Sequence, residues 1–159
     1  MITVIIQARM GSTRLPGKTL AGLAGEPILG HLVRRVSKIQ GIDRVVIATT
    51  ENPSDDILAN FANKRGIPFF RGSEDDVLDR FYGAARKFGA SVIVRVTPDC
   101  PVLDPAVSGL VLTRFLAAQG ALDYVSNVHP PTFPDGLDTE VFSFEALEKA
   151  WKGAALKSE

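Results

Sequence analysis

Arg9, Arg14 and Lys18 are the only charged side chains in the first 25 residues. They sit in the run Gln7-Ala8-Arg9-Met10-Gly11-Ser12-Thr13-Arg14-Leu15-Pro16-Gly17-Lys18, which follows a mostly apolar stretch from Val4 to Ala8. Gly11, Ser12 and Thr13 offer backbone N–H groups and hydroxyls beside fixed positive charge, the set of groups that a polyphosphate requires. Arg14 and Lys18, four apart with Pro16 between them, can converge on one phosphate chain, Arg as a planar fork and Lys as a point charge. Arg9 either joins them or pairs with a surface acid. With 18 basic and 18 acidic residues in the whole chain, the positive charge is a local device and not a general basic surface.

Two look-alike phosphate loops are excluded by spacing. A Walker A loop needs four residues between its glycines, whereas five separate Gly11 from Gly17, and Pro16 fixes φ where the nest must wrap. No second glycine stands near Gly11 to make a dinucleotide fingerprint.

A second constellation is Arg95-Val96-Thr97-Pro98-Asp99-Cys100-Pro101. Asp99 follows an apolar strand in a stretch that its flanking prolines hold extended at a sheet rim. A hard carboxylate facing a triphosphate loop is a natural Mg²⁺ ligand. Arg95 either forms a local salt bridge or reaches the ligand. Cys100 has no His in its motif and reads as a small packed thiol.

The third constellation is Phe133-Pro134-Asp135-Gly136-Leu137-Asp138-Thr139-Glu140. Extended backbone from Asp138 puts Asp138 and Glu140 on one face, suited to metal, sugar hydroxyls or an amine. Asp135-Gly136 is also an ordinary turn signal. We assign Asp135, Asp138 and Glu140 to the substrate side. His129 reads as a loop histidine, His31 as structural and Trp151 as a core anchor.

The elements that must position these groups alternate. Strand-like runs cover Met1–Ala8, Arg44–Thr49, Pro68–Phe70, Ser91–Val96, Leu122–Ser126 and Glu140–Phe142. Helical periodicity covers Pro27–Ile39, the segment from Asn52-Pro53 to Gly66, Val77–Phe88 behind a capped acidic turn at Ser73–Asp76, Pro105–Ala118 and Phe144–Lys152. Continuous apolar strands between helices predict an α/β fold, a three-layer α/β/α arrangement around a mostly parallel sheet. Such sheets bind ligands at the carboxyl ends of their strands, so the chemistry belongs in the loops after the first, fourth and fifth strands.

Composition narrows the class further. At 159 residues, with 45% apolar and 23% charged residues, the chain suits one globular domain. A zero net charge argues against broad nucleic-acid binding, and no apolar run reaches the length of a membrane span. One cysteine leaves no internal disulfide and fits a cytoplasmic setting, while two His and one Cys nearly exclude a zinc site.

The first loop resembles the signature loop of the cytidylyltransferases that make CMP-activated acidic sugars, and within them the type found in spore-coat polysaccharide biosynthesis. Thr97–Pro101 and Asp135–Phe142 resemble later motifs of that group, and Ser73–Phe81 its middle helix. The resemblance implies a nucleotide-diphospho-sugar transferase (GT-A-like) fold, with CTP and a sugar as substrates, pyrophosphate as product, Mg²⁺ as cofactor and a homodimer as a candidate assembly. Arg14 and Lys18 would hold the triphosphate, Asp99 the metal, and Gln7, Ala8 and Arg9 would line the nucleotide pocket. Pro98 stands where the family often has a small residue. The chain also stops where such relatives usually continue, so a missing C-terminal portion, often carrying a second metal-binding aspartate, is expected. Two other readings remain open, a glycosyltransferase of the same fold and a nucleotide-binding domain without turnover.

Overall fold

In the computed structural model, residues 1–12 and 15–155 are described. Strand β1 (Ile2–Gln7) alternates its burial between two layers. Val4 and Ile6, with Ala8 just beyond the strand, join a cluster that includes Leu29, Leu32, Leu58, Val111 and Leu112. Ile5 turns to the opposite cluster with Phe81, Ala84, Ala85 and Leu147. A period of two along one strand thus feeds two cores, one on each face of the sheet.

Beyond β1, a 3-10 turn (Lys18–Leu20) leads to a small hairpin, β2 (Gly22–Leu23) and β3 (Glu26–Pro27), and then to α1 (Ile28–Val36). β4 (Arg44–Thr50), α2 (Asp56–Lys64), β5 (Phe69–Gly72), α3 (Val77–Lys87) and β6 (Val92–Val96) continue the alternation. α4 (Pro105–Ala117), β7 (Tyr124–Ser126), β8 (Glu140–Ser143) and α5 (Phe144–Gly153) complete it. The main sheet has the order β5-β4-β1-β6-β8-β7. β5, β4, β1 and β6 run parallel, while β8 lies antiparallel between β6 and β7. α1, α2 and α4 supply the first cluster, and α3 and α5 the second. The expected three-layer, mostly parallel α/β architecture is what the chain forms.

Local differences have local causes. The apolar stripe of α1 reaches Ile39, which is 3% exposed, yet the helix stops at Val36. The Ser37 hydroxyl donates to the Val33 carbonyl at 2.7 Å, and single-turn bonds then carry the chain on to Ile39. The cap of α3 is Asp76, whose carboxylate accepts from the Asp79 amide at 2.8 Å, and not Ser73, which receives the Asp76 amide one turn earlier. The β2–β3 hairpin escapes the sequence because two-residue strands carry no periodicity.

Candidate functional site

β1 and β6 are hydrogen-bonded neighbours running the same way, with Ile6 paired to Val96. Their carboxyl ends therefore deliver the Gln7–Lys18 loop and the Thr97–Asp99 loop to one rim. A cavity of about 300 Å³ opens there, and Gln7, Arg9, Ser12, Lys18, Arg95 and Asp99 are among its walls. Lys18 Nζ donates to Asp99 Oδ2 at 2.5 Å. Burial alone would raise the Asp99 pKa. The Lys18 hydrogen bond, a backbone N–H, the Lys18 charge and the Thr97 hydroxyl outweigh it and hold the carboxyl below its ordinary value.

The other residues singled out in the first loop lie differently. The Ala8 side chain is 1% exposed and belongs to the core, and its amide is spent on the Ala48 carbonyl at 2.9 Å. Gly11 lies against Glu74, whose Oε1 would stand 3.7 Å from an added Cβ. Thr13 and Arg14 lie outside the described residues. Thr19 also lines the cavity, with its hydroxyl on the Arg9 carbonyl at 3.3 Å. Its place directly after Gly17-Lys18 was the available signal.

Much of the loop's backbone is committed to its own shape. The Ser12 and Gly17 amides both donate to the Met10 carbonyl, at 2.9 and 3.1 Å, and the Lys18 amide donates to Leu15 O at 3.2 Å. The expected supply of free N–H groups is correspondingly reduced among the described residues. Side chains are what this loop presents. Gly17 makes the neck possible with φ 75°, a left-handed conformation that a Cβ would strain.

A second cavity, of about 260 Å³, shares Arg95, Val96 and Thr97 with the first. Its remaining walls include His129, Asp138 and Glu140. Asp138 and Glu140 thus meet in one place as their spacing predicts, whereas Asp135 is exposed and does not contribute to the lining. Arg95 is paired with Glu140 across the β6–β8 register, and the Tyr124 hydroxyl donates to the other Glu140 oxygen at 3.1 Å. Of the two alternatives for Arg95, the local salt bridge is formed, and its side chain also borders both cavities.

Asn127 holds this second wall in shape and was not singled out from the sequence. It is 4% exposed, its amide nitrogen donates to Leu137 O at 2.9 Å, and its side-chain oxygen accepts from the Thr139 amide at 2.8 Å. The signal was weak, since an Asn at a strand end usually marks only a turn. Cys100 is buried, with Sγ 3.1 Å from the Thr97 hydroxyl. Burial raises its thiol pKa; the Thr97 bond opposes this, and the charges of Asp99, Asp138 and Asp135 add to the rise. It is a packed thiol, as expected.

Among the described residues, no group of three or more His, Cys, Asp or Glu side chains is placed to hold a metal ion. Asp99 nevertheless suits one kind of ion. Magnesium commonly takes one or two carboxylates and completes its shell with substrate phosphates and water. A single rim carboxylate beside a cationic loop fits that pattern. Asp104, the next acid along, is committed to the Ala106 amide at 2.8 Å as the cap of α4.

A family model described as cytidylyltransferase matches residues 3–159 of the chain. An uncharacterized protein of Methanocaldococcus jannaschii is 42% identical over 158 residues, covering 96% of this chain and 61% of that protein. The spore coat polysaccharide biosynthesis protein SpsF of Bacillus subtilis is 42% identical over 150 residues, covering 92% of this chain and 60% of SpsF. The solved structure of a cytidylyltransferase from Leptospira borgpetersenii is similar with a TM-score of 0.92 and 38% identity, over 98% of this chain and 65% of that one. The chain thus spans about three fifths of the length of these two curated relatives.

Proposed function

The chain belongs to the cytidylyltransferase family, and we propose that it carries the nucleotide-binding part of an enzyme that transfers CMP from CTP to a sugar hydroxyl, with release of pyrophosphate. The observation that carries this reading is the meeting of Lys18 and Asp99 at the cavity behind β1 and β6. A cation and a hard anion on facing loops are what a metal-bound triphosphate needs.

In this reading Arg9, Lys18 and the neighbouring Arg14 neutralise the phosphate chain, and Ser12 adds a hydroxyl. Lys18 exchanges Asp99 for phosphate oxygens as the nucleotide enters, which frees the carboxylate. Asp99 would then hold a divalent ion, which we take to be Mg²⁺ and which adds positive charge against the phosphates. Gln7 and Arg95 face the nucleotide from the sheet. The sugar occupies the second cavity, where Asp138 and Glu140 accept its hydroxyl hydrogens. Its attacking hydroxyl gives up its proton to water and its oxygen bonds to the α-phosphorus as the bond to the bridging oxygen breaks, and pyrophosphate departs on the side of the cations.

The product class follows SpsF, a spore coat polysaccharide biosynthesis protein, so we place the reaction in surface polysaccharide synthesis. A glycosyltransferase of the same fold is less well supported, because Asp104 is a helix cap and cannot join Asp99 in a paired metal motif. The test is pyrophosphate release from CTP, UTP, GTP or ATP with a panel of sugars and Mg²⁺. Release that requires CTP and one sugar supports the proposal. Nucleotide binding without pyrophosphate under every condition would reduce it to a binding domain.

A further inference from the structure

Asp55 is 1% exposed, and no basic side chain is within salt-bridge distance of it among the described residues. Burying a carboxylate is costly unless its oxygens are satisfied. One oxygen accepts the Met10 amide at 2.7 Å, across 45 residues of sequence, and the other accepts the Thr50 hydroxyl. Met10 is also the residue whose carbonyl gathers the Ser12 and Gly17 amides. Its peptide groups are thus held from both sides, by Asp55 at the N–H and by the loop itself at the carbonyl.

We propose that Asp55 is the positioning residue of the phosphate loop, fixing the Met10 amide so that the neck closed at Gly17 aims Lys18 into the first cavity. The proposal rests on the reading of that cavity as a triphosphate site. Asp55 touches neither cavity and acts only through Met10. An oxygen acceptor at this point is what matters, so a carboxamide should serve nearly as well as a carboxylate.

The test compares wild type, Asp55→Ala and Asp55→Asn by NMR amide exchange and by calorimetric titration with CTP and Mg²⁺. The Met10 amide should be protected in wild type and in Asp55→Asn, and exposed in Asp55→Ala while strand amides stay protected. CTP affinity should fall about tenfold or more in Asp55→Ala, as expected when the Met10 N–H is left without an acceptor, and change little in Asp55→Asn. Unchanged affinity in a folded Asp55→Ala, or a rapidly exchanging Met10 amide in wild type, overturns the proposal. If Asp55→Ala does not fold, Asp55→Asn decides, because a large loss of affinity there would mean that charge and not the acceptor is at work. If wild type fails to bind CTP, the triphosphate reading fails on its own, and the exchange comparison still decides whether Asp55 holds the loop.

Discussion

Lys18 and Asp99 are separated by 81 residues in the chain and by 2.5 Å in the fold. Among the described residues each is the other's salt-bridge partner, and each is also what an incoming nucleotide would claim. The contact is partly open to solvent, with side-chain exposures of 26% and 39%, so its contribution to stability is at most about 1 kcal/mol.

Lys18→Met should show that contribution in its pH dependence. The Asp99 pKa is lowered in the folded protein, so the stability it adds is present above its unfolded value and is lost as pH falls through the folded one. Wild type should be the more stable protein at about pH 7, and its advantage should shrink progressively as pH is lowered past the ordinary Asp value of about 4, as urea unfolding across that range would measure. The same variant should lose most of its CTP-dependent thermal shift.

Asp99→Ala should cost about a hundredfold or more in pyrophosphate release, the scale of a lost Lewis-acid site. Affinity for CTP without Mg²⁺ should hold or improve, because Lys18 is then unpaired. A variant that releases pyrophosphate at the wild-type rate would remove Asp99 from the metal's shell.

Glu140→Gln keeps a hydrogen-bonding group opposite Arg95 but removes the ion pair. Steady-state kinetics should show a raised KM for the sugar with the KM for CTP less affected. Stability should change by only about 1 kcal/mol, since Arg95 remains partly solvated.

Gly83 tests the packing that places α3 on the sheet. A Cβ there would lie 2.6 Å from Cζ of Phe70. Gly83→Ala should destabilise by about 1–3 kcal/mol. Adding Phe70→Leu should recover part of the loss, a non-additivity that thermal melts can measure.

The sequence carried the fold well, because long apolar strands and helical stripes mark buried faces wherever one residue type recurs at a fixed period. It was less legible where structure depends on single polar atoms. Ile39 read as helix because it is buried, although the helix had already ended. Lys18, Asp99, Asp138 and Glu140 were visible as unusual residues at strand ends, and the fold brings them to two adjoining cavities. Asp55 and Asn127 were not, since an Asp before a helix and an Asn after a strand look like ordinary caps and turns. Their partners, Met10 and Thr139, are distant in sequence or offered as backbone groups, which no periodicity records.

The wall shared by the two cavities runs from Arg95 to Thr97, with Arg95 and Val96 in β6 itself. Val96 is anchored opposite Ile6 in the ladder and is 1% exposed, so this segment has little freedom to flex. Two residues of extended chain span about 7 Å, a length that the backbone fixes. The protein therefore carries a rigid partition: whatever the two cavities hold, their common boundary is fixed by the strand, and changes in the surrounding loops would reshape either chamber without moving the wall between them.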